Sequence, residues 1–389
     1  MKGTYLSNID PDNVQGYDVK ISGQVSGFNK LNIDIDLICF TPNSDIICRE
    51  SFIHVTPSLS TNILKHNVRN LVLRRIYLYF FTIRKLWQQS SDFLYLRHPR
   101  SDPLFILFLT LIRLLYGKIT IFYEIPTYPY DHEYENTTKV KDKIVFFFDR
   151  MCRKQLKKYI TRIVVVSFYQ PIFDIPILSI SNGINISETI ELNRPPSLNK
   201  SIHIIGVGNI EFWHGFDRVI SGLKNYYISS VKPEIDINFH IVSPYNKCIE
   251  ELLSHSESSH LIDKIKYHGE NYGDKLNKLY DQCHLAIGDL GCHRKGMEET
   301  AALKVREYAA RGIPFVSSAK DPDFPNSFPY RLLLKADDTP INMSELVEFV
   351  LGIYEDTEHP KKIYDYAVNH LDWSIKLKKV IEAIPSSNT

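Results

Sequence analysis

Two glutamates separated by seven residues, Glu299 and Glu307, stand in the run Gly291 to Ser318, GCHRKGMEETAALKVREYAARGIPFVSS, with Arg294, Lys295, Lys304 and Arg306 around them. Carboxylates so placed can accept hydrogen bonds from the hydroxyls of a sugar or a ribose, and a ring of cations is what a diphosphate requires. The same spacing also suits a plain solvated helix end in which Lys304 and Glu307 pair at i,i+3, so residue types alone leave both readings open. Leu303 to Ala310 carries good helix formers, Gly312 is placed as a left-handed stop, and Pro314 bars continuation before Phe315 and Val316. His284 to Gly288, upstream, is a short apolar run of strand type. Residues 288–302 therefore read as a long strand-to-helix connection opening on a helix N-terminus. Unpaired backbone N–H groups and the positive end of the helix dipole suit a phosphate there.

A second loop of this kind follows Ile202 to Val207. There Gly208, Asn209, His214 and Gly215 lie between a strand and a helix that begins at Phe216, an arrangement that can bind phosphate but that by residue types alone reads first as an ordinary strand-to-helix turn. Nearer the start, Gln15, Gly16 and Tyr17 read as a loop. A helix over Val19 to Phe28, weakened by Gly23 and Gly27, and an alternating strand over Ile33 to Phe40 come next. Loop, helix and strand in this order open a doubly wound sheet. Asp92 to Pro99 is a strand whose polar end carries Arg97, at the edge where open α/β sheets bind ligands. A helix over Asp102 to Tyr116 and a strand over Ile119 to Tyr123 then lead into EIPTYPYD, Glu124 to Asp131. Its two prolines make a stiff loop that offers Glu124, Thr127, Tyr128 and Tyr130 either as a sugar-contacting surface or as a structural turn.

Taken together, HRKG, LKxREYxARGIP and EIPTYPY resemble the bacterial surface-polysaccharide branch of the retaining, family 4-type glycosyltransferases of the GT-B fold. The resemblance implies an α/β chain of two Rossmann-like doubly wound domains facing across a cleft. Residues 1–187 would bind the acceptor, residues 188–372 the nucleotide sugar, and a terminal helix of about 373–389 would return to the first domain. It implies that Glu307 binds the ribose, that Glu299 binds the donor sugar hydroxyls, and that amides near Ala302, Leu303 and Lys304 bind the phosphates. Gly16 and Gly208 would approach the same phosphates. Glu124 takes the place where many relatives have a histidine.

Relatives carry an Arg and a Lys where this chain has Asn209 and His214, so Arg294, Lys295 and Lys304 are the expected counter-charges of the departing diphosphate. The implied chemistry is front-face transfer with retention, without a metal or other cofactor, from a nucleotide-diphosphate sugar. The acceptor would be a glycan or lipid-diphosphate-linked chain in capsule, exopolysaccharide or lipopolysaccharide synthesis. Rival readings are a sugar-nucleotide epimerase on the same scaffold and a non-catalytic scaffold subunit.

The length of 389 residues suits two domains. Net charge is +1, but residues 1–190 hold 23 Lys+Arg against 17 Asp+Glu, and the remainder hold 23 against 28. The excess gathers on two expected basic helices, 65–87 and 142–159, whose cations alternate with aromatics, a pattern suited to an anionic membrane surface or to a solvated core helix. No nucleic-acid motif accompanies them, so no nucleic-acid partner is expected. The six cysteines share no metal or disulfide spacing, the first ten residues lack a signal-like apolar run, and Pro103 to Tyr116 is too short to span a bilayer. A cytoplasmic protein, peripheral at the inner membrane face, is the expectation.

Overall fold

The computed structural model describes residues 1–8, 15–41, 43–50, 60–97, 100–126, 128–131, 139–166, 170–186, 196–229, 233–258 and 261–385. The chain divides into two units, Met1–Asn185 with Asp372–Thr389, and Ile186–Leu371.

The first unit runs β1 (Lys2–Ser7), α1 (Gln15–Lys30), β2 (Asp34–Phe40), β3 (Ile46–Glu50), β4 (Ser60–Lys65), α2 (Leu71–Gln89), β5 (Phe93–Arg97), α3 (Pro103–Tyr116), β6 (Thr120–Ile125), α4 (Val140–Cys152), β7 (Arg162–Val165) and β8 (Ile177–Ser179). Its sheet has the order β4-β3-β2-β1-β5-β6-β7-β8. β1, β2 and β5 to β8 are parallel, and β3 and β4 extend the β2 edge antiparallel. Helices cover both faces, so β5 is buried along its whole length and reads as an apolar run, FLYLR, rather than an alternation.

Caps set the helix bounds. Asn70 accepts from the amides of Val72 and Leu73 to start α2, which leaves Lys65 at the end of β4 instead of in the expected helix. Asp102 accepts from Phe105, and Pro103 fills the first turn of α3, where its missing N–H costs nothing. Gln15 and Gly16, expected in a loop, already belong to α1. The basic segment 142–159 is α4 followed by a 3-10 turn, Arg153–Lys158.

The second unit runs β9 (Ser201–Val207), α5 (Phe216–Ser229), β10 (Asp236–Val242), α6 (Lys247–Ser258), β11 (Ile265–Tyr267), α7 (Gly273–Tyr280), β12 (Leu285–Ile287), α8 (Leu303–Ala310), β13 (Phe315–Ser317), β14 (Arg331–Leu333), α9 (Met343–Tyr354) and α10 (His359–His370). The sheet is fully parallel with the order β11-β10-β9-β12-β13-β14. Four histidines cross it. His203 Nδ1 lies 2.8 Å from His240 Nε2, His240 Nδ1 lies 2.9 Å from His268 Nε2, and the His203 amide donates to His284 Nδ1 at 3.0 Å. Burial, the largest influence on each, holds all four imidazoles below the ordinary histidine range, His240 at about 3.

The last helix, α11 (Trp373–Glu382), belongs to the first unit. Trp373, 1% exposed, lies on α1 where Gly23 and Gly27 leave room, and a Cβ on Gly23 would stand 2.4 Å from its ring. The two glycines that weaken α1 by propensity are therefore the seat of α11. Lys30 Nζ meets Asp372 at 2.5 Å, and the Trp373 amide donates to the Ile184 carbonyl at 3.1 Å.

Candidate functional site

In the second unit the strand order reverses beside β9. β10 and β11 continue to one side and β12 to β14 to the other. Ligands of open α/β sheets bind where the order reverses, beyond the strands' carboxyl ends, and the loops that leave β9 and β12 meet there. They are joined backbone to backbone: the Leu290 amide donates to the His214 carbonyl and the Gly291 amide to the Trp213 carbonyl, both at 3.1 Å. Gly215 makes this possible. It holds φ +69°, and a Cβ would come within 2.8 Å of the Leu290 backbone.

Two buried side chains fix the junction, and neither was among the expected site residues. Arg218 donates to the carbonyls of Leu290 (2.5 Å), Thr339 (2.8 Å) and Lys335 (3.1 Å). Tyr308 hydroxyl accepts from the Val207 amide and donates to the Ile287 carbonyl, bridging the ends of β9 and β12. A sequence signal existed for both, since each lies in a helix that follows one of the glycine-bearing loops.

Around this junction stand several expected residues. Lys304, in the first turn of α8, places Nζ 2.6 Å from Asp289 Oδ1. Ala302 is the N-cap of α8 and supplies no side-chain cap, which leaves the helix start to its backbone amides, those of Leu303 and Lys304 among them. Asp289 is buried, which alone would raise its pKa, but Lys304 and then His214 pull it below the usual carboxylate value. His214 Nδ1 accepts from the Glu211 amide at 2.9 Å, and its Nε2 lies 3.8 Å from Asp289. Burial first, then Lys304, pushes this imidazole down to about 3. His214 is thus neutral where a cation was looked for.

Lys295 is exposed and lies over the Trp213 ring, 4.3 Å from its centroid. Arg294, expected as a free counter-charge, is instead a clamp. It grips Asp217 through both Nη atoms (2.9 and 2.7 Å), Asp338 through Nε (2.7 Å) and the Phe212 carbonyl (2.6 Å). Arg306 is also removed from the expected ring of cations: it is fully buried and held by Asp321 and Asp323.

Glu307 faces Arg311, Oε1 to Nη2 at 2.9 Å, and Arg311 in turn stacks on Tyr280. Glu299 lies in a short bridge with Lys320, which ties the segment before α8 to the one after β13. Gly208, at φ +136°, turns the chain out of β9 and donates to the Val242 carbonyl. Asn209 is exposed and accepts from Asn246 at 3.2 Å.

The first unit has its own reversal, between β1 and β5. Glu124 was expected on a loop; it lies inside β6, 2% exposed. Arg97 Nη1 (2.6 Å) and Lys20 Nζ (2.8 Å) meet its Oε1, and Tyr95 hydroxyl (2.9 Å) and Gln24 Nε2 (3.0 Å) donate to Oε2. Burial would raise its pKa, but Arg97 and Lys20 outweigh that and hold it at about 2. Arg97, 1% exposed, is part of the same interior network. Tyr130 is likewise interior and donates to Asp149 at 2.8 Å, while Tyr128 packs edge-on against it. Thr127 lies outside the described residues. Gly16 is at the second position of α1.

Asp36, Cys48 and Glu50 bring ligand-type atoms within 4.8 Å of one another. The ammonium of Lys85 already lies among them, 3.1 Å from Asp36 Oδ2 and against Glu50, so this cluster is a closed ion network.

The pair of doubly wound sheets, with the final helix returned to the first, defines the GT-B class of fold. No protein-family model matches the chain, and no curated protein sequence matches it. Solved structures do. Sucrose-phosphate synthase from Thermosynechococcus elongatus aligns at TM-score 0.60 and 12% identity over 98% of both chains. The catalytic domain of starch synthase IV from Arabidopsis thaliana, bound to ADP and acarbose, aligns at 0.61 and 10% over 98% of both. The pneumococcal O-GlcNAc transferase, in complex with UDP and GlcNAc, aligns at 0.54 and 10% over 99% of both.

Proposed function

We propose that this chain is a glycosyltransferase of the retaining, family 4 type. It would move a sugar from a nucleotide-diphosphate donor to a glycan or lipid-diphosphate-linked acceptor in the synthesis of a surface polysaccharide. The observation that carries the reading is the joined pair of loops at the strand reversal of the second unit, with the uncapped start of α8 and Lys304 beside it. Solved neighbours of the same fold that hold ADP or UDP support it.

In this reading the α8 amides and Lys304 receive the diphosphate, Lys295 adds charge from the Trp213 side, and Glu307 and Glu299 accept hydroxyls of ribose and donor sugar. Oriented amides and a cation in a partly dehydrated site stabilise the leaving diphosphate without reorganising. The diphosphate itself takes the acceptor's proton, and no metal is assigned a role. The first unit, with Tyr128 and the segment at residue 127, receives the acceptor.

A non-catalytic GT-B subunit is the second reading, favoured by the neutral His214, the uncharged Asn209 and the engaged Arg294. A panel of nucleotide sugars, with and without a lipid-linked glycan acceptor, separates the readings. Acceptor-dependent release of nucleoside diphosphate is expected. Sugar interconversion without acceptor would make the chain an epimerase, and donor binding without turnover on any acceptor would favour the subunit.

A further inference from the structure

The helices α2, α3 and α4 lie side by side on one face of the first unit's sheet and bury Leu78, Tyr79, Phe105, Phe108 and Phe146 beneath them. Their opposite side is also apolar. α3 has a single charged residue, Arg113, and its guanidinium is spent on the carbonyls of Tyr159 (2.9 Å), Gly117 (2.9 Å) and Ile119 (2.7 Å). What α3 turns outward is Leu107, Leu111 and Leu114 at helical spacing, with Leu114 76% exposed. The neighbouring helices also expose aromatics, Phe80 and Trp87 on α2 and Phe147 on α4, with Trp87 78% exposed. A helix apolar all round is ordinarily covered on all sides, and an exposed apolar patch spread over three helices marks a contact surface.

Charge selects the occupant. α2 contains no acidic residue; Asp102 is held by Arg75, Asp149 is buried and engaged by Tyr130 and Ser101, and Asp142, partly exposed in the first turn of α4, stands between Lys141 and Lys143. Arg84, Lys141, Lys143 and Arg150 are exposed beside the apolar side chains. Two copies joined through this face would set these cations against each other, whereas an anionic headgroup layer neutralises them while the leucines and aromatics enter the acyl boundary. We propose that the outer face of α2, α3 and α4 docks on an anionic lipid bilayer. The basic segment 65–87 carries the cluster Arg74, Arg75, Arg84 and Lys85. Of these, Arg74, Arg75 and Lys85 are turned away from the outer face, onto Phe40, Asp102 and the Asp36–Glu50 pair respectively, so the contacts are carried by Arg84 and by α4. This inference stands apart from the enzymatic reading.

The test is flotation of the full chain with phosphatidylcholine vesicles, alone or mixed with phosphatidylglycerol, at low and high salt, with no nucleotide sugar present. Binding to the mixed vesicles at low salt is expected, with a blue shift of tryptophan emission that Trp87→Phe removes, since Trp373 is buried and Trp213 half-buried. Leu114→Ser with Phe147→Ser, and separately Arg84→Glu with Lys143→Glu, should each weaken binding about tenfold or more and leave circular dichroism unchanged. No binding to either vesicle overturns the proposal. So does binding that is equal with and without phosphatidylglycerol, or a concentration-dependent dimer that the variants dissolve without any lipid binding.

Discussion

Lys304 and Asp289 form a 2.6 Å ion pair at the strand reversal of the second unit, and the neutral imidazole of His214 stands 3.8 Å from the same carboxylate oxygen. One cation, one anion and one uncharged ring thus balance before any ligand arrives. A diphosphate entering here competes with Asp289 for Lys304.

Lys304→Met removes that cation and strands Asp289. Nucleoside diphosphate affinity, read by calorimetry, should fall about tenfold or more, and stability in urea by about 3–5 kcal/mol, the usual cost of leaving a buried charge unpaired. Unchanged affinity would move the diphosphate elsewhere in the unit.

Gly215→Ala tests the loop junction. The added methyl meets the Leu290 backbone at 2.8 Å in a left-handed conformation, so about 1–3 kcal/mol of stability should be lost. Donor-dependent turnover should fall with it. Gly296→Ala, also at positive φ but with nothing within 4 Å, should cost about 1–2 kcal/mol and spare turnover.

Acid should act on the two units in different windows. The buried imidazoles of the second unit bind protons more readily once unfolded, so its stability is complete above the unfolded histidine value near 6.5 and declines as pH falls below it. For His240 or His214, each held at about 3, the loss at pH 5 is about 2 kcal/mol. Urea unfolding followed by hydrogen exchange at pH 7 and pH 5 should show the second unit weakening first. Equal weakening of both units would exclude the histidine row as the cause.

Glu124 works in a lower window. Its folded value of about 2 against an ordinary 4.5 means that its contribution is complete above pH 4.5 and vanishes as pH falls toward 2, about 3 kcal/mol in all. Glu124→Gln should destabilise the first unit at pH 7 and flatten its acid transition between those values. A wild-type acid slope in the variant would contradict the network described here.

Much of the second unit was legible in the sequence because its signals are local. Leu303–Ala310 begins and ends where its residue types indicate, and Gly312 takes the left-handed conformation. What stayed hidden depended on partners far along the chain. Whether Arg294 is a counter-charge or a clamp is decided by Asp217 and Asp338, and Glu124 reads as presented until Lys20 and Arg97 are seen around it. Gly23 and Gly27 look like helix defects until Trp373 lies on them. The short antiparallel strands β3 and β4 and the polar helices α6 and α10 were missed for a related reason. Their weak local patterns are stabilised by the sheet and by helix packing rather than by propensity.

Trp373, Leu377 and Val380 fill the same core as Tyr5, Phe28 and Tyr95, so the first unit is built from the two ends of the chain. During synthesis its amino-terminal strands leave the ribosome with one side of their core open. They wait through the whole of residues 186–371 before the closing helix emerges. The second unit, made later but continuous in sequence, can reach its native state earlier. Truncating the last helix should therefore leave a chain in which the unit translated first is the one that fails to fold.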